Sequence, residues 1–136
     1  MNLKDLFDWY NEKRNTNLEL DDFSSLLMMF PAVLVANADG DFDSLEKQNL
    51  AHACYGLEAE PYVTCEMYSE LCFLATTGDQ DIINNIFSCI KAESKSNEEA
   101  KLIITSLMIE MAQASDGISQ EESDKIKEIK EILEYQ

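Results

Sequence analysis

Six of the seven carboxylates in two short segments are the residues of this chain best suited to chemistry. In ANADGDFDSLE (residues 36–46), Asp39, Asp41, Asp43 and Glu46 surround Gly40 directly after a long apolar run. In AQASDGISQEE (residues 112–122), Asp116 and Glu122 lie either side of Gly117 and Ser119. Carboxylates a few ångströms apart repel by up to about 4 kcal/mol at an effective dielectric near 20, so each cluster calls for a counter-ion. All-oxygen donors suit Ca²⁺ or Mg²⁺, admit Mn²⁺ and disfavour Zn²⁺.

The spacing is not that of an EF-hand. A loop of that kind starting at Asn37 would put Phe42 where the sharp turn needs glycine, and Gln48 where a bidentate Glu belongs. The second segment fits no better. A purely structural reading competes with ligation: Asp43 and Ser119 cap helices, Glu46 and Glu122 close capping boxes, and the Asp-Gly pairs make turns. For the glutamates the two roles are compatible.

The elements that must position these residues are helices. The chain has 136 residues with 46% hydrophobic content, enough for one domain with a core, but only four Gly and two Pro. Few turn residues mean long elements, and apolar residues recur at helical rather than alternating spacing. Leu3, Leu6, Phe7 and Tyr10 define a first helix. A second starts near Asp21 or Asp22, runs to about Ala38, and should be bent or split by Pro31. A third spans Asp43 to Gly56. Pro61 opens a fourth, with Met67, Leu71 and Leu74 inward and Gly78 as its stop. Asp79 caps a fifth, with Ile82, Ile83, Ile86 and Ile90 inward. A box from Ser96 to Glu99 opens a sixth, rich in Leu102, Ile103, Leu107, Met108 and Met111. Ser119 and Glu122 open the last, with Ile126, Ile129 and Leu133 facing the core. The expected fold is an all-α, compact bundle of about seven helices.

The pattern occurs twice. Residues 21–57 and 97–134 each read as an apolar helix, an Asp-Gly loop, a cap, and a helix with Glu at its third position. Two such hairpins can pack about a pseudo-twofold axis, which would bring both acidic turns to the same side.

This pair of segments, in register in an all-helical chain of this length, resembles the tellurite-resistance TerB-like family. The hallmark of that family is an Ala-x-Ala-Asp-Gly turn followed by a helix carrying Glu. The similarity covers residues 18–135. The first copy matches closely; the second has Ser115 before Asp-Gly and a loop shorter by one residue. The resemblance implies one TerB-like helical domain over residues 1–136 whose acidic loops cluster and bind divalent cations. It also implies a part in bacterial stress responses to tellurite, other chemical insults or phage, often within larger complexes. Carried over by position, the ligands are Asp39 and Glu46 in the first copy and Asp116 and Glu122 in the second. Asp41 and Asp43 would add donors in the first loop only.

Charge narrows the partners. With 27 acids against 10 bases, the formal net charge is −17. Nucleic-acid phosphates and anionic membranes are disfavoured as counterparts, whereas cations or a basic protein surface are favoured. Residues Phe23 to Ala38 are uncharged but interrupted by Pro31 and shorter than the roughly 20 residues of a membrane span. No secretory signal is apparent, so a soluble, cytoplasmic protein is expected. Cys54, Cys65, Cys72 and Cys89 lack CxxC spacing and read as buried thiols in a reducing compartment. His52 is the only histidine, and no nucleophile–base set is apparent. Met28, Met29, Met108 and Met111 read as core, and the charges from Glu121 to Glu134 as a solvated helix face.

The sequence therefore favours a non-enzymatic domain that binds a divalent cation and works through protein contacts. Two alternatives stand beside it: a small acidic interaction protein, such as an immunity protein neutralising a basic toxin, and a metal-dependent hydrolase.

Overall fold

In the computed structural model, the described residues are 2–38, 48, 51, 61–113 and 117–135, with the side chains of 61–64 excepted. They form six helices and no strand: α1 (Leu3–Arg14), α2 (Leu20–Ala36), α3 (Pro61–Thr76), α4 (Gln80–Ser94), α5 (Glu98–Ala112) and α6 (Gln120–Leu133). The all-α expectation holds. Of the helix expected from Asp43 to Gly56 only residues 48 and 51 are described, both helical. The rest, with His52 and Cys54, lies outside the described residues, so six elements stand where about seven were expected.

Local chemistry sets most boundaries. The Asn2 side chain accepts the Asp5 N–H at 2.8 Å and starts α1, which stops at Asn15 in the left-handed region, φ 56°. The second helix starts earlier than expected. The Glu19 N–H donates to the Asp22 carboxylate at 3.3 Å, so Asp22 closes the first turn from within instead of capping it. Asp79 starts α4 as expected, accepting the N–H groups of Asp81 and Ile82 at 3.1 and 3.3 Å. The box expected from Ser96 to Glu99 does not form. Asn97 is the cap, accepting the Ala100 N–H at 3.1 Å. An amide oxygen one residue nearer the helix meets the same orphan donors, and Asn caps as well as Ser. The Ser119–Glu122 box does form.

The centre of the bundle is α2, which packs against all five other described helices. That explains its composition: a helix apolar on every side is stable only when surrounded. It also explains why Pro31 does not split it. The missing N–H leaves the helix one hydrogen bond short, but Pro31 and nine other residues of α2 are buried, and burial holds the element together. Phe23, Leu26, Phe30, Val33 and Val35 are fully buried on α2, joined by Leu71 and Leu74 of α3, Ile86 of α4, Met108 of α5 and Ile129 of α6. Phe30 and Phe87 stack edge-on at 5.2 Å, as do Phe7 and Phe23 at 5.6 Å. Met29, Met108 and Met111 are core, as the sequence suggested, whereas Met28 is half-buried at the edge of the core. The outer face of α6 is solvated, as expected.

The thiols differ from expectation. Cys89 is buried, but Cys72 is half-buried and Cys65 is exposed, and all three are free. An apolar neighbourhood in sequence does not decide which face of a helix a residue occupies; at position 65 the face is the outer one.

Candidate functional site

Helix direction decides where the acidic segments attach. At the start of α2, the Asn17 N–H donates to Glu66 of α3 at 2.7 Å; at its end, the Asn37 amide donates to the Ala75 carbonyl at 2.9 Å. So α3 runs the same way as α2. Leu34, in the last turns of α2, lines a cavity with Gln80 and Ile83 of α4 and Lys125 of α6. Ser24 and Leu27, towards its start, line another with Ser94 of α4 and Ala100 and Ile104 of α5. Hence α4 is antiparallel to α2, and α5 starts beside the first half of α2 and runs along it. Tyr135 donates to Ser94 Oγ at 2.7 Å and Lys91 pairs with Glu134 at 3.0 Å, which fixes the end of α6 to the end of α4.

The C-terminal ends of α2, α3 and α5 therefore lie at one end of the bundle, beside the first turns of α4 and α6. Ala38 and Gln113, the last described residues before the two acidic segments, both belong to this end. Each helix C-terminus carries roughly half a negative charge on unpaired carbonyls. None of α2, α3 and α5 has a Lys or Arg in its last turn, whereas α1, α4 and α6 do. The three C-termini thus add negative partial charge at the end from which both acidic segments depart, offset in part by the N-termini of α4 and α6.

Of the six candidate ligands, Asp39, Asp41, Asp43, Glu46 and Asp116 lie outside the described residues. Glu122 is described. Its carboxylate accepts the Ser119 N–H at 3.0 Å, while its own N–H donates to Ser119 Oγ at 3.1 Å, and the residue is buried. The capping role is therefore realised, and it occupies one of the two carboxylate oxygens. Gly117, with φ 92°, supplies the backbone conformation that this turn needs and that a residue with a Cβ rarely adopts. Among the described residues, no three or more His, Cys, Asp or Glu side chains are grouped so as to hold a metal ion. No helix among them is long and apolar enough to cross a membrane.

A buried polar group among the described residues lies outside the acidic motifs. Glu70 of α3 is buried, and its carboxylate accepts Tyr10 Oη at 2.8 Å, Arg14 Nε at 2.8 Å and Arg14 Nη2 at 3.1 Å. The Arg14 guanidinium also lies 3.5 Å from the Phe73 ring centroid. Burial, and then the adjacent carboxylate, push the Tyr10 hydroxyl well above the usual phenol range. The hydrogen bond to Glu70 raises Arg14 further. The buried polar atoms of the group all have hydrogen-bond partners, and its chemistry is that of a clamp joining α1 to α3. A signal was present in the sequence: Arg14 continues the inward stripe Leu3, Leu6, Phe7, Tyr10 by one more helical step.

Compared with protein-family models, curated proteins and solved structures, the chain matches none.

Proposed function

We propose that this chain is a non-enzymatic, TerB-like domain that binds a divalent cation at the negative end of its bundle and acts through protein contacts. One observation carries the reading. Three helix C-termini without a basic residue in their last turns meet at the end from which both acidic segments leave. Negative helix ends and carboxylates together favour a cation there. Ca²⁺ and Mg²⁺ suit the oxygen donors, with Mn²⁺ as a further candidate, and Asp39, Asp41, Asp43, Glu46, Asp116 and Glu122 are the proposed ligands. The resemblance extends the reading to a cytoplasmic part in bacterial responses to tellurite, chemical stress or phage.

The net charge of −17 favours a second reading, an acidic protein that neutralises a basic partner such as a toxin without any metal. Melting curves separate the two. A native-state site stabilises by about 2.7 kcal/mol at 100 times its dissociation constant. For a chain of this size that is a shift on the order of 5–10 °C. Millimolar Ca²⁺ or Mg²⁺ should raise the melting temperature above that in monovalent salt of matched ionic strength. The change Asp39→Asn with Asp116→Asn should remove that excess and leave the screening part. Equal stabilisation by both salts would refute the cation reading.

A further inference from the structure

The helix that packs along α2 is apolar on a second side. Ile104, Met108, Met111 and Ala112 of α5 are buried in the core. On the opposite side, Leu102 is 67% exposed, Ile103 40% and Ile109 37%, three of the six large apolar side chains exposed among the described residues. With about 3.6 residues per turn, Leu102, Ser106 and Ile109 form one stripe along the outer face, and Ile103 lies about 100° round the helix from it, beyond Glu99 and Glu110. Scattered exposed apolar residues need no explanation, but an ordered stripe on one helix does.

We propose that this stripe is the docking surface for a basic amphipathic helix of a partner protein. The proposal rests on the protein-contact half of the reading above and not on its cation site. Charge chooses the occupant. Glu98, Glu99 and Glu110 border the stripe and are exposed. Two cations lie beside Leu102. Lys101 is taken up by Glu98 at 3.1 Å and lies over the Tyr135 ring at 5.9 Å. Lys130 lines the same cavity as Lys101 and Leu102, together with Glu98 and Glu134, so the acids there still match the bases in number. A second copy of this chain would bring the same acidic border and another net charge of −17 against the first. A helix with an apolar stripe flanked by Lys or Arg meets both features at once.

The test uses two synthetic amphipathic helices of about 18 residues, long enough to span α5 at about 1.5 Å per residue, one built from Leu and Lys and one from Leu and Glu. The Leu/Lys helix should bind and the Leu/Glu helix should not. Leu102→Ser with Ile109→Ser should weaken binding by about tenfold or more. Ile132→Ser, an exposed apolar change on α6, should leave binding unchanged. Circular dichroism should show all variants folded, because the changed side chains face water. Absence of binding, or a double variant that binds as well as wild type, overturns the proposal in favour of diffuse charge attraction. A wild type that sediments as a dimer and a double variant that sediments as a monomer overturn it in favour of a second copy. Asp39→Asn with Asp116→Asn should still bind the basic helix, so failure of the cation reading and failure of this one are told apart.

Discussion

Tyr10 and Glu70 are 60 positions apart in sequence and 2.8 Å apart in the fold, and Arg14 holds the same carboxylate from one helical turn further on. The carboxylate is buried while Arg14 retains some access to water. Removing the acid leaves the guanidinium and the phenol with only each other and the Phe73 ring, without the carboxylate that accepts their hydrogens. Glu70→Ala should cost about 2–4 kcal/mol in urea denaturation. Adding Tyr10→Phe and Arg14→Leu should recover part of that loss, because the stranded groups are gone.

The same group gives an alkaline signature. Tyr10 has its folded-state pKa raised, first by burial and then by Glu70. A raised pKa gives stability that is complete below the unfolded phenol value, near 10, and falls as pH rises above it, because only the unfolded chain releases the proton. Stability of the wild type should therefore decline above about pH 10. In Tyr10→Phe the decline should be shallower. Denaturation at a series of alkaline pH values measures the slope.

At Glu122, capping and ligation can be separated by isosteric change. Ser119→Ala removes the side chain that accepts the Glu122 N–H and should cost about 1 kcal/mol of stability. Glu122→Gln keeps an oxygen for the Ser119 N–H, so stability without divalent ions should barely move. If Glu122 also ligates, the divalent-specific melting shift should shrink in Glu122→Gln and persist in Ser119→Ala.

The thiols should label in order of access. Cys65 is exposed, Cys72 half-buried and Cys89 buried, with the Cys89 thiol pushed up first by burial and then by Glu93. Reagents attack the thiolate, so burial slows Cys89 twice, through access and through ionisation. Peptide mapping after brief alkylation at neutral pH should find Cys65 modified first, Cys72 more slowly, and Cys89 only after denaturant is added. Early modification of Cys89 would mean that α4 opens readily.

Much of the helical plan was legible because each helix start carries its own chemistry. Asp79, Ser119 with Glu122, and Pro61 are local signals and act where the sequence puts them. Periodicity likewise marked Met67, Leu71 and Leu74 as core. The misses have a common cause. Choosing Asn97 over Ser96 as a cap, or the outer face for Cys65, depends on how a helix is rotated against its neighbours. The Glu70 clamp depends on two helices meeting, which no local window contains. Of the candidate site, the sequence named the acidic segments and the Glu122 cap. The convergence of three helix C-termini at one end follows from topology alone.

The pairing of α2 with α5 bears on how the chain is made. The most apolar of the described helices is complete at Ala36, but the helix that runs along it is complete only at Ala112. At roughly 5–20 residues per second, translation of the intervening segment takes about 4–15 s. Throughout that interval the nascent chain carries its most water-averse segment without its main cover. A cell that makes this protein must keep that segment from other nascent chains until α5 leaves the ribosome, and expression should be most prone to aggregation when elongation is slowed between these two helices.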